Sequence, residues 1–197
     1  SDDIYEHVRY DNFKFFTIAQ LPNLKERTLT MNGVSKSYAM TGWRIGYAGG
    51  PKDVIKAIAK IQSQSTTNPS SISQAAAVEA LNGKQDFISI RSKAFQERRD
   101  FVVNSLNSID GINCLNPQGA FYVFPNCKKL IGKKDKEGKK IENDSDFVQS
   151  LLENYGIAVV QGSAFGLEGF FRVSYATSME NLEKAMEKIK EFCESLN

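Results

Sequence analysis

The sequence predicts an α/β chain in two blocks, residues 1–84 and 85–197, the second with α+β character. Three observations predict it. Short strand-like runs at 28–31 and 43–48 end in glycine-containing turns. Apolar residues recur at helical spacing in 53–61, 86–106 and 182–196. After Asp110-Gly111 the pattern changes to short strands at 119–125, 157–160 and 169–175.

Taken in order, residues 1–5 look like the end of a strand. The run 28–31 (Thr-Leu-Thr-Met) is β-branched and apolar, and Gly33 follows in a turn. The run 43–48 closes on Gly49-Gly50-Pro51. Val54, Ile55, Ala57, Ile58 and Ile61 then mark one face of a helix. Asn68-Pro69-Ser70 breaks the chain before an alanine-rich helix over 73–81, closed by Asn82-Gly83. A long helix over 86–106 carries Phe87, Ile90, Phe95 and Val102, with Arg and Lys on one face.

In the second block, 128–143 contains the basic runs Lys133-Lys134 and Lys139-Lys140. Acidic residues interleave and aromatics are absent, so a solvated loop is expected rather than a phosphate or nucleic-acid patch. A short helix spans 145–154. Thr177-Ser178-Met179-Glu180 has the capping-box pattern, and Leu182, Ala185, Met186, Ile189, Phe192, Cys193 and Leu196 line the last helix. There are no internal repeats.

Composition narrows the function classes. At 197 residues, 41% hydrophobic and 24% charged, one or two globular domains are expected, without a membrane span. Lys and Arg number 25 against 23 acidic residues, a balance that gives no reason to invoke nucleic acid. Cys114, Cys127 and Cys193 are far apart and lack a CxxC pairing. Reduced thiols in a cytoplasmic protein are the expectation, and no charged-then-apolar leader opens the chain. His7 is the sole histidine and has no ligand-spaced partners, so no metal is expected.

Ser35-Lys36-Ser37-Tyr38-Ala39-Met40-Thr41-Gly42-Trp43-Arg44-Ile45-Gly46-Tyr47 carries the most chemistry. A lysine alone is ordinarily a solvated surface group, and an arginine alone a surface ion pair. Here Arg44 follows Lys36 by eight residues, on an aromatic and glycine-rich segment. A planar guanidinium can meet two phosphate oxygens at once. A lysine amine can bond an aldehyde. Together these are the requirements of pyridoxal phosphate (PLP).

The stretch resembles the PLP-lysine segment of class I aminotransferases, above all bacterial aspartate aminotransferases, which read NGxxKxxxMTGWRxGY. Gly33, Gly42, Trp43, Arg44 and Gly46 fall where that family has them. The resemblance covers nearly the whole chain. It implies the C-terminal part of the PLP fold-type I large domain (1–84), followed by a bridging helix and small C-terminal domain (85–197). Family members are about twice this length, so the chain reads as the C-terminal half of a longer enzyme. The half alone is expected to lack turnover.

The resemblance assigns further roles. Lys36 is the catalytic lysine, bonding the cofactor and moving the substrate α-proton. Arg44 holds the cofactor phosphate. Asp2 and Tyr5, spaced Asp-x-x-Tyr, serve the pyridine nitrogen and the phenolate oxygen. Asp3 is the competing carboxylate, set on the opposite face by strand alternation. Arg172, in Phe171-Arg172-Val173-Ser174, grips the substrate α-carboxylate. Inside an apolar strand it would otherwise need a carboxylate partner. Tyr122 and Phe124 are expected in the core, and Trp43 packs beside the cofactor.

Two positions depart from family patterns. Gly33 stands where many members have a phosphate-binding serine, leaving Ser35 as a candidate hydroxyl. Ser63 stands where one subgroup has an arginine for the substrate side-chain carboxylate, which implies the other subgroup. Thr67-Asn68-Pro69 falls where family dimers send a loop toward the neighbouring subunit's cofactor. The implied activity is transamination of L-aspartate with 2-oxoglutarate by a homodimer acting on small amino and oxo acids, with prephenate as a further acceptor. The rivals are a PLP carbon–sulfur lyase of the same fold, and an inert or ligand-sensing PLP-fold domain.

Overall fold

The computed structural model of the chain describes residues 1–197 and places strand β1 at Thr30–Gly33 and β2 at Gly46–Gly49. They pair antiparallel, from Thr30↔Gly49 to Gly33↔Gly46. Residues 1–3 run parallel to β1: Asp3 N–H donates to Met31 O at 2.9 Å and Met31 N–H to Ser1 O at 2.8 Å. Both strands start later than their composition predicts. The β-branched and aromatic content of 43–48 reads as strand, yet Thr41–Trp43 is a 3-10 turn. Its backbone bonds close locally, Trp43 N–H to Met40 O and Arg44 N–H to Thr41 O.

Helices α1 (Lys52–Ser63), α2 (Ser71–Asn82) and α3 (Asp86–Asn107) follow. The expected apolar face of α1 forms, but the helix buries no residue, and Val54, Ile58 and Ile61 are exposed. Two compact units divide within α3, at Ser1–Lys93 and Ala94–Asn197. The first has a core of Val34, Ile45 and Ala77, with Tyr38 and Met40 packed against it.

In the second unit, β3 (Tyr122–Val123), β4 (Val160–Gln161) and β5 (Phe171–Ser174) form an antiparallel sheet in the order β3-β5-β4. Helix α4 spans Asp144–Tyr155 and α5 spans Met179–Ser195. Phe147 of α4 meets Phe171 and Phe192 at ring-centroid distances of 5.1 and 5.0 Å, the centre of this core. Arg99 departs from the expected basic surface face of the long helix. It is buried, and its guanidinium donates to Asp100 Oδ1 (2.8 Å) and Pro117 O (2.9 Å). No helix is long and apolar enough to cross a membrane.

The cap of α5 sits one residue later than the capping-box pattern places it. Ser178 is the N-cap and its hydroxyl accepts Asn181 N–H, while Glu180 pairs with Lys184 at 2.6 Å. The chain enters the helix extended at Ser178, so the third helical position is Asn181 rather than Glu180. Burial pushes the Cys114 thiol up to about 11 and those of Cys127 and Cys193 to about 12, so all three stay protonated at neutral pH.

The 128–143 segment is more structured than a solvated loop. Lys134, Lys139 and Lys140 are exposed, but Leu130, Asp135 and Ile141 are buried. Asp135 organises the turn: its carboxylate accepts Ser150 Oγ–H (2.7 Å) and the N–H groups of Glu137 and Lys139 (3.0 and 2.9 Å). The Ser150 hydrogen bond, with the two backbone donors, lowers its pKa against the opposing effect of burial. A lowered folded-state pKa contributes stability above the unfolded value, about 3.9, and loses it as pH falls through the folded value. Asp135→Asn is therefore expected to flatten that acid limb, read as urea midpoints at pH 7 and pH 3. An unchanged pH slope would contradict it.

Candidate active site

The connection between β1 and β2, residues 34–45, carries both Lys36 and Arg44. β1 ends and β2 begins at the pair Gly33↔Gly46, so the connection that holds both residues lies at one end of the ladder. Fully buried Val34 anchors the connection through its N–H to Ile45 O (3.3 Å), and its carbonyl accepts Met40 N–H (3.3 Å). Ala39 N–H closes a turn onto Lys36 O at 3.1 Å. Two residues with side chains, Ala39 (φ 54°) and Arg44 (φ 56°), take the left-handed region. Each costs about 1 kcal/mol, and such strain persists where the surroundings fix it and often where a site needs it.

Lys36 is half-buried, and its Nζ lies 6.0 Å from the centroid of the half-buried Tyr5 ring. Asp2 lies on the segment parallel to β1, with its carboxylate exposed and accepting Ile4 N–H at 3.2 Å. Asp3 turns inward: it is buried and accepts Ser1 Oγ–H at 2.6 Å. Arg44 is exposed and donates from Nη1 to Thr41 O at 3.0 Å. Trp43, beside it, is half-exposed.

Gly33 has a steric reason to be glycine. A Cβ there would stand 2.9 Å from Ile45 O and 3.3 Å from Gly46 Cα, both backbone atoms where the chain enters the paired strand. Gly33→Ser is expected to destabilise the first unit by about 1–3 kcal/mol, as overpacking does. Equal denaturation midpoints for the two proteins would contradict this.

The sequence did not single out the polar cluster next to Tyr5. Asn32 Nδ2 donates to Glu6 Oε1 at 2.7 Å, and His7 Nε2 lies 3.5 Å from the same oxygen. Burial, followed by the Glu6 charge, raises the Tyr38 and Tyr47 hydroxyls above the ordinary phenol value. The missed signal was register: Asn32 faces Tyr47 across the ladder.

Arg172 belongs to the second unit, on β5. It is half-buried, but no carboxylate partners it. Its guanidinium carbon lies 4.6 Å from the Tyr122 ring centroid and 4.5 Å from that of Phe165. Tyr122, expected in the core, is half-buried beside this arginine. Phe124 packs on Phe170 (5.6 Å) and Phe165 (5.9 Å).

Comparison with known proteins matches this framework. The family model for Aminotransferase class I and II covers residues 1–189. The chain is 60% identical, over its full 197 residues, to the aspartate aminotransferase of Rhizobium meliloti (strain 1021), covering 48% of that protein. It is 60% identical over 194 residues to the probable aspartate/prephenate aminotransferase of Rhizobium leguminosarum bv. phaseoli, covering 98% of this chain and 48% of that one. Among solved structures, the aspartate aminotransferase from Rhizobium meliloti superposes with a TM-score of 0.96 at 60% identity, over 99% of this chain and 49% of the other. The aromatic aminotransferase from Pyrococcus horikoshii OT3 gives 0.87 at 38% identity, over 97% and 49%. The chain spans about half the length of the curated relatives it matches.

Proposed function

Since this chain belongs to the aminotransferase class I and II family, we propose that it carries the catalytic lysine and the two anion-binding arginines of a PLP-dependent aspartate transaminase. PLP is the cofactor of the family. The observation that carries the reading is the strained 34–45 connection, one segment between two paired strands that holds both Lys36 and Arg44, with the Tyr5 ring 6.0 Å from the lysine Nζ. This donor set suits the cofactor. It combines an amine for an aldehyde, a guanidinium for a phosphate, a phenol for a phenolate oxygen and an exposed carboxylate (Asp2) for a pyridinium.

The chemistry supplied by bound PLP is a covalent attachment point for amines and an electron sink for a carbon losing its proton. The chain's own residues do the rest. Lys36 Nζ takes the proton from the amino-acid α-carbon and carries it for return. Arg44, whose Nη1 donates to Thr41 O, would hold the phosphate with its remaining donors. The Asp2 carboxylate would hold the ring nitrogen and favour its protonated form by charge. The Tyr5 hydroxyl would hold the phenolate oxygen by donating to it. Arg172 receives the substrate α-carboxylate and thereby orients the α-C–H bond.

The substrates of this reading are L-aspartate and 2-oxoglutarate, giving oxaloacetate and L-glutamate in the full-length polypeptide, as a cytoplasmic homodimer. Prephenate as a further acceptor is favoured by relatives named aspartate/prephenate aminotransferase. The relatives named above are transaminases, which favours this reading over a carbon–sulfur lyase or a ligand sensor. Initial rates of oxaloacetate formation from aspartate and 2-oxoglutarate test it, with prephenate as the competing acceptor. Pyruvate and ammonia released from a cysteine conjugate, with no oxaloacetate from aspartate, would contradict it.

A further inference from the structure

The surroundings of Arg172 contain more than a carboxylate grip requires. Tyr122 pairs with Ser174, two residues along β5 from Arg172, and diagonal neighbours at that spacing reach each other when the side chains are long. Phe165 arrives differently, on the 3-10 turn Gly162–Phe165, whose last three residues are exposed.

That turn is held firmly. Gly162 N–H donates to Phe170 O (2.7 Å), Leu167 N–H to Gly162 O (3.1 Å) and Gly166 N–H to Ser163 O (3.0 Å). A Cβ on Gly162 would collide with the Leu167 carbonyl oxygen and come within 2.8 Å of Phe170. Asp144, 2% exposed in the first turn of α4, accepts Ser163 N–H through Oδ2 at 2.6 Å. A buried carboxylate is costly to keep unless its hydrogen bonds are made, and this one is directed at a backbone amide of an exposed turn.

We propose that Tyr122 and Phe165 are positioning residues that seat the Arg172 guanidinium for a substrate carboxylate. Asp144 acts one step further back, by fixing the turn that carries Phe165. The proposal rests on the transaminase reading above. Its physical basis is that ring contacts use no N–H donor. A guanidinium held by aromatics keeps its planar fork for the ligand, whereas a structural carboxylate would occupy it.

Two readouts separate this proposal from the reading beneath it. In the 197-residue chain, ¹⁵N relaxation of the Arg172 Nε–Hε group is expected to show a rigid side chain. Phe165→Leu and Asp144→Ala release it, and Asp144→Asn, which keeps an acceptor for Ser163 N–H, does not. Motion in the unsubstituted chain as free as at the exposed Arg9 and Arg27 would overturn the seat. In the full-length enzyme, Phe165→Leu and Asp144→Ala are expected to raise KM for aspartate and for 2-oxoglutarate by the same factor, about tenfold, with kcat nearly unchanged. A lowered kcat at constant KM would overturn the positioning role. An enzyme without transamination, whose Arg172 is nonetheless rigid and released by Phe165→Leu, would overturn the transaminase reading and support the seat.

Discussion

Lys36→Ala is expected to lower transamination of aspartate by at least about 10⁴-fold, because one amine performs two tasks. In the proposed reading it is the nucleophile that attaches the cofactor and the base that moves the α-proton; general acid–base catalysis alone contributes about 10²–10⁴. Lys36→Arg is expected to fail equally, since a guanidinium gives up its proton far less readily than an ammonium. Fold stability is expected to change little. The side chain is half-buried, and the turn is fixed by backbone bonds that the substitution leaves in place, among them Ala39 N–H to Lys36 O. Turnover in Lys36→Ala within about tenfold of the parent would contradict the assignment.

Arg172→Gln is expected to lower kcat/KM by about 10²–10³ for aspartate, glutamate and 2-oxoglutarate alike. Two charge-assisted hydrogen bonds at about 1.5–3 kcal/mol each set the scale, with incomplete additivity keeping the total below their sum. Arg172→Lys is expected to recover only part of this, since an ammonium lacks the planar fork. The decisive comparison is a monocarboxylic amino acid such as L-phenylalanine or L-alanine, which shares the α-carboxylate but has no second one, and the same fold-loss is expected for it. A loss confined to dicarboxylic substrates would place Arg172 on the side-chain carboxylate instead.

Much of this was legible in the sequence because it depends on local chemistry. The lysine segment is contiguous, so its spacing survives whatever packs around it, and residues 34–45 do form one connection. The helices at 52–63, 71–82 and 86–107 follow from periodicity and their breakers. Strand starts were less legible. Aromatic and β-branched content at 43–45 looks like strand, but the backbone there closes a turn and enters the left-handed region at Arg44.

The setting of Arg172 was not legible. Phe165 reaches it from a separate turn, and Asp144 reaches that turn from a helix 19 residues upstream of Ser163. Nor does a local pattern reveal that Asp135 would draw a lysine-rich loop around itself, since its strongest partner, Ser150, lies on α4. The departure at Gly33 was visible as a missing serine. Its cause, the closeness of Ile45 O and Gly46 Cα, appears only once β1 and β2 are paired.

The most direct measurement is borohydride reduction of the PLP-saturated full-length polypeptide, followed by digestion and peptide mass spectrometry. A phosphopyridoxyl mass on the Lys36 peptide, with loss of the yellow absorption, is the expected result. A label on a different lysine, or no label at saturating PLP, would contradict the account.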